Sequence, residues 1–96
     1  MNKQEAQEIL HSELITYRSR EYEELTALIQ SPLNYEKEGP SGVIYQIEIQ
    51  AFWDNPRDVD GDIRVIASID DGKFPSAFIP LTLDFIKNSE GNFIGE

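Results

Sequence analysis

An aspartate-rich stretch in the middle of the chain comes closest to a metal-binding motif. Four of its residues match the third, fifth, sixth and seventh positions of a calcium-binding loop: Asp58, Asp60, Gly61 and Asp62. The first and twelfth positions, where such a loop most needs carboxylates, would then be Pro56 and Ala67. A turn in an acidic protein explains the same residues, so we predict neither a metal site nor a cofactor.

Polar residues on the apolar side of the first helical segment could line a ligand pocket. At about 100° per residue, His11, Arg18 and Glu21 project into the apolar sector. Arg18 and Glu21 are close enough in sequence to form an ion pair. These polar residues either border the apolar stripe, or the pair is buried with its hydrogen bonds made. If the helix and a sheet instead separate at one end, His11, Arg18, Tyr45 and Trp53 would line a pocket whose arginine favours an anionic ligand.

Nothing in the sequence indicates catalysis. The chain has one histidine and no cysteine, and no serine lies in a nucleophile-elbow context. The glycines never form a phosphate-cradling pattern. We therefore predict a protein that is not an enzyme.

The charge balance limits the partners that the protein can bind. Eighteen acidic and eight basic residues give a net charge of -10. A field of this sign repels phosphate backbones and anionic lipids, which argues against nucleic-acid or membrane partners. The acidic surface either serves solubility alone or attracts a basic protein surface.

Two stretches alternate between apolar and polar residues, as strands with one buried face do. Every odd position in residues 43–53 and 63–70 carries an apolar side chain, and the polar residues of both stretches lie at even positions. Matching the buried faces predicts a wide 54–62 loop, with Trp53 opposite Ile63 and Ile49 opposite Ala67. Asp71-Gly72 is typical of a hairpin turn, so a third strand is expected at 73–79, with Ile69 opposite Phe74 and Val65 opposite Phe78.

The remaining segments complete the predicted chain order. Residues 3–30 have helical periodicity, with Asn2 as N-cap, although the polar run around Ser19 allows a bend or break there. Residues 31–42 are expected to be a loop, and 81–87 a short helical turn. Residues 92–94 form either an edge strand or an extended tail.

The other face of the predicted sheet carries a small cluster that could bind another protein. Its members are Phe52, Arg64, Ile66, Ala77 and Ile79. Scattered apolar surface is normal, but the centre of a wet sheet is a natural docking site for a partner or a second copy. Alternatively, the C-terminal segment covers the cluster through Leu83, Phe85 and Phe93.

Together these features predict one α+β domain over residues 1–96. A long N-terminal helix packs on a three- to four-stranded antiparallel meander, followed by a short C-terminal helical turn. This arrangement is loosely similar, in element order and length only, to the cystatin-like and nuclear-transport-factor-like folds. We expect a small acidic cytoplasmic protein of bacterial type that binds a basic protein partner or itself as a homodimer. The alternative is a small-ligand pocket, binding or catalytic, between helix and sheet.

Overall fold

The computed structural model describes residues 1–73 and 79–96 and has an α+β fold, as predicted. Its four strands form one antiparallel sheet in the order β1-β2-β3-β4, and two helices pack on one face. The elements are α1 (Lys3–Arg18), α2 (Tyr22–Ala27), β1 (Leu33–Glu38), β2 (Ile44–Trp53), β3 (Ile63–Asp70) and β4 (Leu81–Lys87).

The helical segment is two helices rather than one, and the break lies at the polar run around Ser19. The predicted N-cap of α1 is confirmed, because the Asn2 side chain accepts the backbone N–H of Glu5 at 3.1 Å. At its other end, the Ser19 hydroxyl donates to the Thr16 carbonyl, and Glu21 is extended (φ -71°, ψ 155°). This extended residue turns the chain, so a continuous helix over 3–30 is wrong and the anticipated break is correct.

The pairing of β2 with β3 follows the predicted register. Trp53 lies opposite Ile63 and Ile49 lies opposite Ala67. The 54–62 loop between the strands closes with the Asp54 N–H donating to the Asp62 carbonyl at 2.9 Å. A wide loop is required because a tight turn would place apolar side chains opposite polar ones.

The expected loop at 31–42 contains a strand. β1 pairs with β2, so that Leu33 lies opposite Ile49 and Tyr35 opposite Ile47. The chain then turns at 39–42, where Gly42 has a φ of +89° that favours glycine. The sequence did not predict β1 because this edge strand is largely exposed to solvent. Its sequence LNYEKE therefore lacks a strong alternation of apolar and polar residues.

Residues 81–87 form a strand, not the expected helical turn. Leu81 lies opposite Ile69 and Phe85 opposite Val65, so β4 occupies the edge of β3 that the predicted strand at 73–79 was to fill. Ile69 and Val65 therefore have Leu81 and Phe85 as partners, where the prediction had Phe74 and Phe78. Residues 74–78 lie outside the described residues, and Lys73 and Ile79 lie in bends.

The core lies between the helices and the inner face of the sheet. Here α1 packs against β3 and β4, and α2 against β2 and β3. In the part of the chain that the structure describes, fourteen hydrophobic side chains are buried there: Ala6, Leu10, Leu14, Leu25, Leu28, Tyr45, Ile47, Ile49, Ala51, Ile63, Val65, Ala67, Ile69 and Phe85. Among the described residues, neither helix has the length and apolar character that crossing a membrane requires.

Candidate functional site

The outer face of the sheet, on the side away from the helices, has an apolar centre. Phe52 of β2 lies opposite Arg64 of β3, which in turn lies opposite Ile86 of β4. Ile66 is two residues further along β3 on the same face. Phe52 is 42% exposed, and Ile66 and Ile86 are half-buried. These three apolar residues and Arg64 are called the central patch below.

Arg64 in the central patch is held by carboxylates on both sides. Its Nε donates to Asp54 Oδ1 at 3.0 Å and its Nη2 lies 2.9 Å from the same oxygen. Its Nη1 donates to Asp84. Hydrogen bonding to Asp54 is the largest influence on the pKa of Arg64 and raises it. The pairing fixes the guanidinium and compensates its charge with two negative charges.

Carboxylates dominate the rest of the outer face. On the described strands, the outward-facing positions carry one cation, Arg64, and five carboxylates: Glu36, Glu38, Glu48, Asp70 and Asp84. An open groove of about 370 Å³ lies between Glu36, Glu48 and Asp70 near the β1–β2 hairpin. The outer face therefore combines an apolar centre with a negative periphery.

The structure brings three of the five predicted interface residues together, namely Phe52, Arg64 and Ile66. Ile79 is 76% exposed and lies outside the strands, and Ala77 lies outside the described residues. Sequence reasoning missed Ile86. The alternation of Leu81, Leu83 and Phe85 on the opposite face could have identified it, had that segment been interpreted as a strand.

The structure does not bring the four predicted pocket residues together. His11 is exposed on α1, whereas Tyr45 is fully buried and donates to Glu5 at 2.8 Å. Trp53 is eight residues from Tyr45 on β2, about 26 Å away at about 3.3 Å per residue. Arg18 is bound to Glu96 at 2.6 and 2.7 Å, rather than to Glu21. The residues predicted to line one pocket therefore lie in separate environments.

The C-terminal segment packs beside α1 and β4, not over the central patch. The Arg18 guanidinium lies 3.9 Å from the centre of the Phe93 ring, and Phe93 meets Phe85 edge-to-face at 5.8 Å. Phe85 points into the core, and Leu83 lies opposite Ala67 on the inner face. The prediction that these residues cover the patch is therefore wrong. The Ile94 N–H donates to the Ile86 carbonyl, and Phe93 forms a single bridge with Lys87.

The aspartate-rich loop is fixed by hydrogen bonds to itself and to α2. The Gly61 N–H donates to the Asp58 carbonyl, and the Tyr22 hydroxyl donates to the Gly61 carbonyl at 2.7 Å. Burial and, after it, the charges of Asp60, Asp58 and Asp62 raise the pKa of Tyr22. Within residues 1–73 and 79–96, no group of three or more acidic or histidine side chains is arranged to hold a metal ion.

A comparison with known proteins finds no family model, no curated protein and no solved structure that matches this chain.

Proposed function

We propose that this protein is a non-enzymatic binding domain whose outer sheet face recognises a basic surface of another protein. The observation that carries the proposal is the composition of that face. An exposed aromatic residue and two isoleucines form its centre. On the described strands, five outward carboxylates against one arginine, which is already paired, make the face negative. Interfaces commonly combine an apolar core with a polar rim.

The charge of the outer face favours a basic partner over a second copy. Two copies joined through this face would bring like-charged carboxylate rims together, which disfavours the contact. A partner with lysine or arginine around an apolar centre would match both features of the face. The net charge of -10 adds long-range attraction for such a partner and accelerates its association.

The packed interior favours this proposal over a small-ligand pocket between helix and sheet. Leu10, Leu25 and Ile47 are at most 2% exposed, and they belong to one contiguous core with the inward side chains of the sheet. A ligand there would have to displace close-packed side chains, which is costly.

The test selects binders from a displayed library of small protein surfaces, first on the wild-type protein and then on two variants. Ile66→Asp places a charge in the central patch. Ile15→Asp is the matched control, because Ile15 is 52% exposed on α1, away from the sheet face. We expect the selected binders to be rich in lysine and arginine. Their affinity for Ile66→Asp should fall about tenfold, as at an interface hot spot, and should be unchanged for Ile15→Asp.

Circular dichroism establishes that both variants are folded, and Phe52→Asp replaces Ile66→Asp if the latter unfolds. Phe52 is the more exposed of the two residues, so a carboxylate placed there remains in contact with water. Binders without a basic excess, or binders that tolerate the patch variants and lose affinity for Ile15→Asp, would overturn the proposal.

A further inference from the structure

A second concave surface lies where α2 meets the 54–62 loop, at the end of the sheet. Its volume is about 550 Å³, larger than the 370 Å³ groove on the outer face and within the range of small-ligand sites. Glu23, Ile29, Trp53, Val59 and Asp60 are among the residues that line it. This surface is called the Trp53 groove below.

The apolar part of the Trp53 groove suits a cationic side chain. Trp53 and Ile29 are half-buried beside the core, so both side chains are held by packing on one side and remain open on the other. Among aromatic side chains, the indole ring is the strongest partner for an ammonium or guanidinium group. Val59, 60% exposed in the loop, adds apolar surface for the aliphatic part of such a side chain.

The charges around the Trp53 groove are negative. Glu23 approaches it from α2 and Asp60 from the loop, and Arg57 of the same loop is not among the lining residues. The hydrogen bond from Tyr22 to Gly61 ties the helix to the loop at the residues next to Glu23 and Asp60. Burial is the main cause of the raised pKa of Tyr22, and the charges of Asp60 and Glu23 add to it, as a negative potential at this place would.

We propose that the Trp53 groove binds an arginine or lysine side chain of the basic partner, with the cation against Trp53 and between Glu23 and Asp60. Phe52 and Trp53 are consecutive residues at the end of β2, and they point to opposite faces of the sheet. A partner that docks on the central patch and extends around this end of β2 would therefore reach the groove. The inference rests on the proposed function for the basic nature of the partner, but it concerns a different site.

The chain has a single tryptophan, so intrinsic fluorescence reports directly on this groove. The probe is an acetylated, amidated diarginine peptide, and the matched control is the same peptide with citrulline, which has the shape of arginine without its charge. We expect a saturable change in Trp53 emission with the arginine peptide, a much weaker one with citrulline, and weaker binding at higher salt.

Variants then locate the binding. Glu23→Gln and Asp60→Asn should each lower the affinity for the arginine peptide by about two- to fivefold, as expected for partly exposed ion pairs. Asparagine suits position 60 because Asp60 has a φ of +68°, a conformation that asparagine tolerates. Glu8→Gln, a charge removed from an exposed position on α1, should leave the affinity unchanged.

The outcomes separate this inference from the proposed function. Emission that does not change, or that changes equally with citrulline or in the Glu23→Gln, Asp60→Asn double variant, overturns the groove site and leaves the outer face untouched. Arginine-peptide binding that is retained in Ile66→Asp, together with selected binders that ignore the central patch, supports the groove and overturns the outer-face proposal.

Discussion

At the scale of single residues, Glu5 joins α1 to the β1–β2 hairpin. Its carboxylate accepts the Ser41 hydroxyl at 2.6 Å, the Ser41 N–H at 3.1 Å and the Tyr45 hydroxyl at 2.8 Å. Gly39 leaves the space for this contact, because a Cβ there would lie 2.6 Å from Glu5 Oε1 and 2.9 Å from the Tyr45 ring. One carboxylate thus fixes both the helix and the turn.

These hydrogen bonds give Glu5 a predictable pH dependence. Bonds from Ser41 and then Tyr45 lower the pKa of Glu5 below its ordinary value. A carboxyl whose pKa is lowered by folding stabilises the fold above its unfolded-state pKa, and this contribution is lost as the pH falls through the folded-state pKa. Glu5→Gln should therefore lose less unfolding free energy than wild type between about pH 6 and about pH 3.

Urea unfolding across this pH range measures the effect, with Glu8→Gln on the same helix as the control. Glu8 is exposed, and its variant should follow the wild-type curve. A Glu5→Gln curve parallel to wild type would mean that the three hydrogen bonds do not favour the ionised form.

At the scale of elements, Lys87 connects the end of α1 to β4. It is only 7% exposed, and its ammonium group donates to the carbonyl oxygens of Arg18 at 3.0 Å and Arg20 at 2.8 Å. These carbonyls lie where α1 ends and the chain turns into α2, and a cation is favourable at a helix C-terminus. Because Lys87 points inward on β4, its ammonium group can bind the carbonyls at the break between the two helices.

Lys87→Met keeps the aliphatic stem and removes the ammonium group, so that the carbonyls of Arg18 and Arg20 lose their charged partner. We expect the free energy of unfolding to fall by about 1–3 kcal/mol. Lys37→Met is the matched control, because Lys37 is exposed and pairs with Glu13 at the surface. Its cost should stay below about 1 kcal/mol. Equal losses in chemical denaturation of the two variants would contradict this role for Lys87.

At the scale of the whole molecule, the net charge of -10 opposes compactness. Ion pairs such as Arg64 with Asp54 and Arg18 with Glu96 offset part of the repulsion, but eight cations cannot compensate eighteen acids. The acidic rim to which we attribute the binding of a basic partner therefore also destabilises the isolated fold.

Salt should accordingly stabilise this protein. Between about 10 and about 150 mM NaCl, the screening length falls from about 30 to about 8 Å, which weakens repulsion between distant carboxylates. We expect the urea midpoint to rise over this interval, and to rise less in a Glu8→Lys, Glu90→Lys double variant with lower net charge. A midpoint that falls with salt would mean that the surface ion pairs outweigh the repulsion.

The alternating sequence of β2 and β3 determined the inner face and its register. Ile47, Ile49 and Val65 are buried as the period of two requires, and Trp53 lies opposite Ile63, because a one-residue slip would turn every apolar side chain outward. The amphipathic pattern of α1 and its N-cap could equally be recognised in the sequence. These features are local, or follow from matching two strongly patterned segments.

Only the tertiary structure decided the two edges of the sheet and therefore the candidate sites. β1 has little alternation because solvent surrounds an edge strand. Residues 73–79 and 81–87 both had sequences that could pair with β3, and long-range pairing gave that edge to β4. Because β4 occupies this edge, Ile86 belongs to the central patch. The pairing of Arg18 with Glu96 is likewise a contact between residues far apart in the sequence. Contacts between segments distant in sequence depend on which competing partner packs best, and no local pattern contains that information.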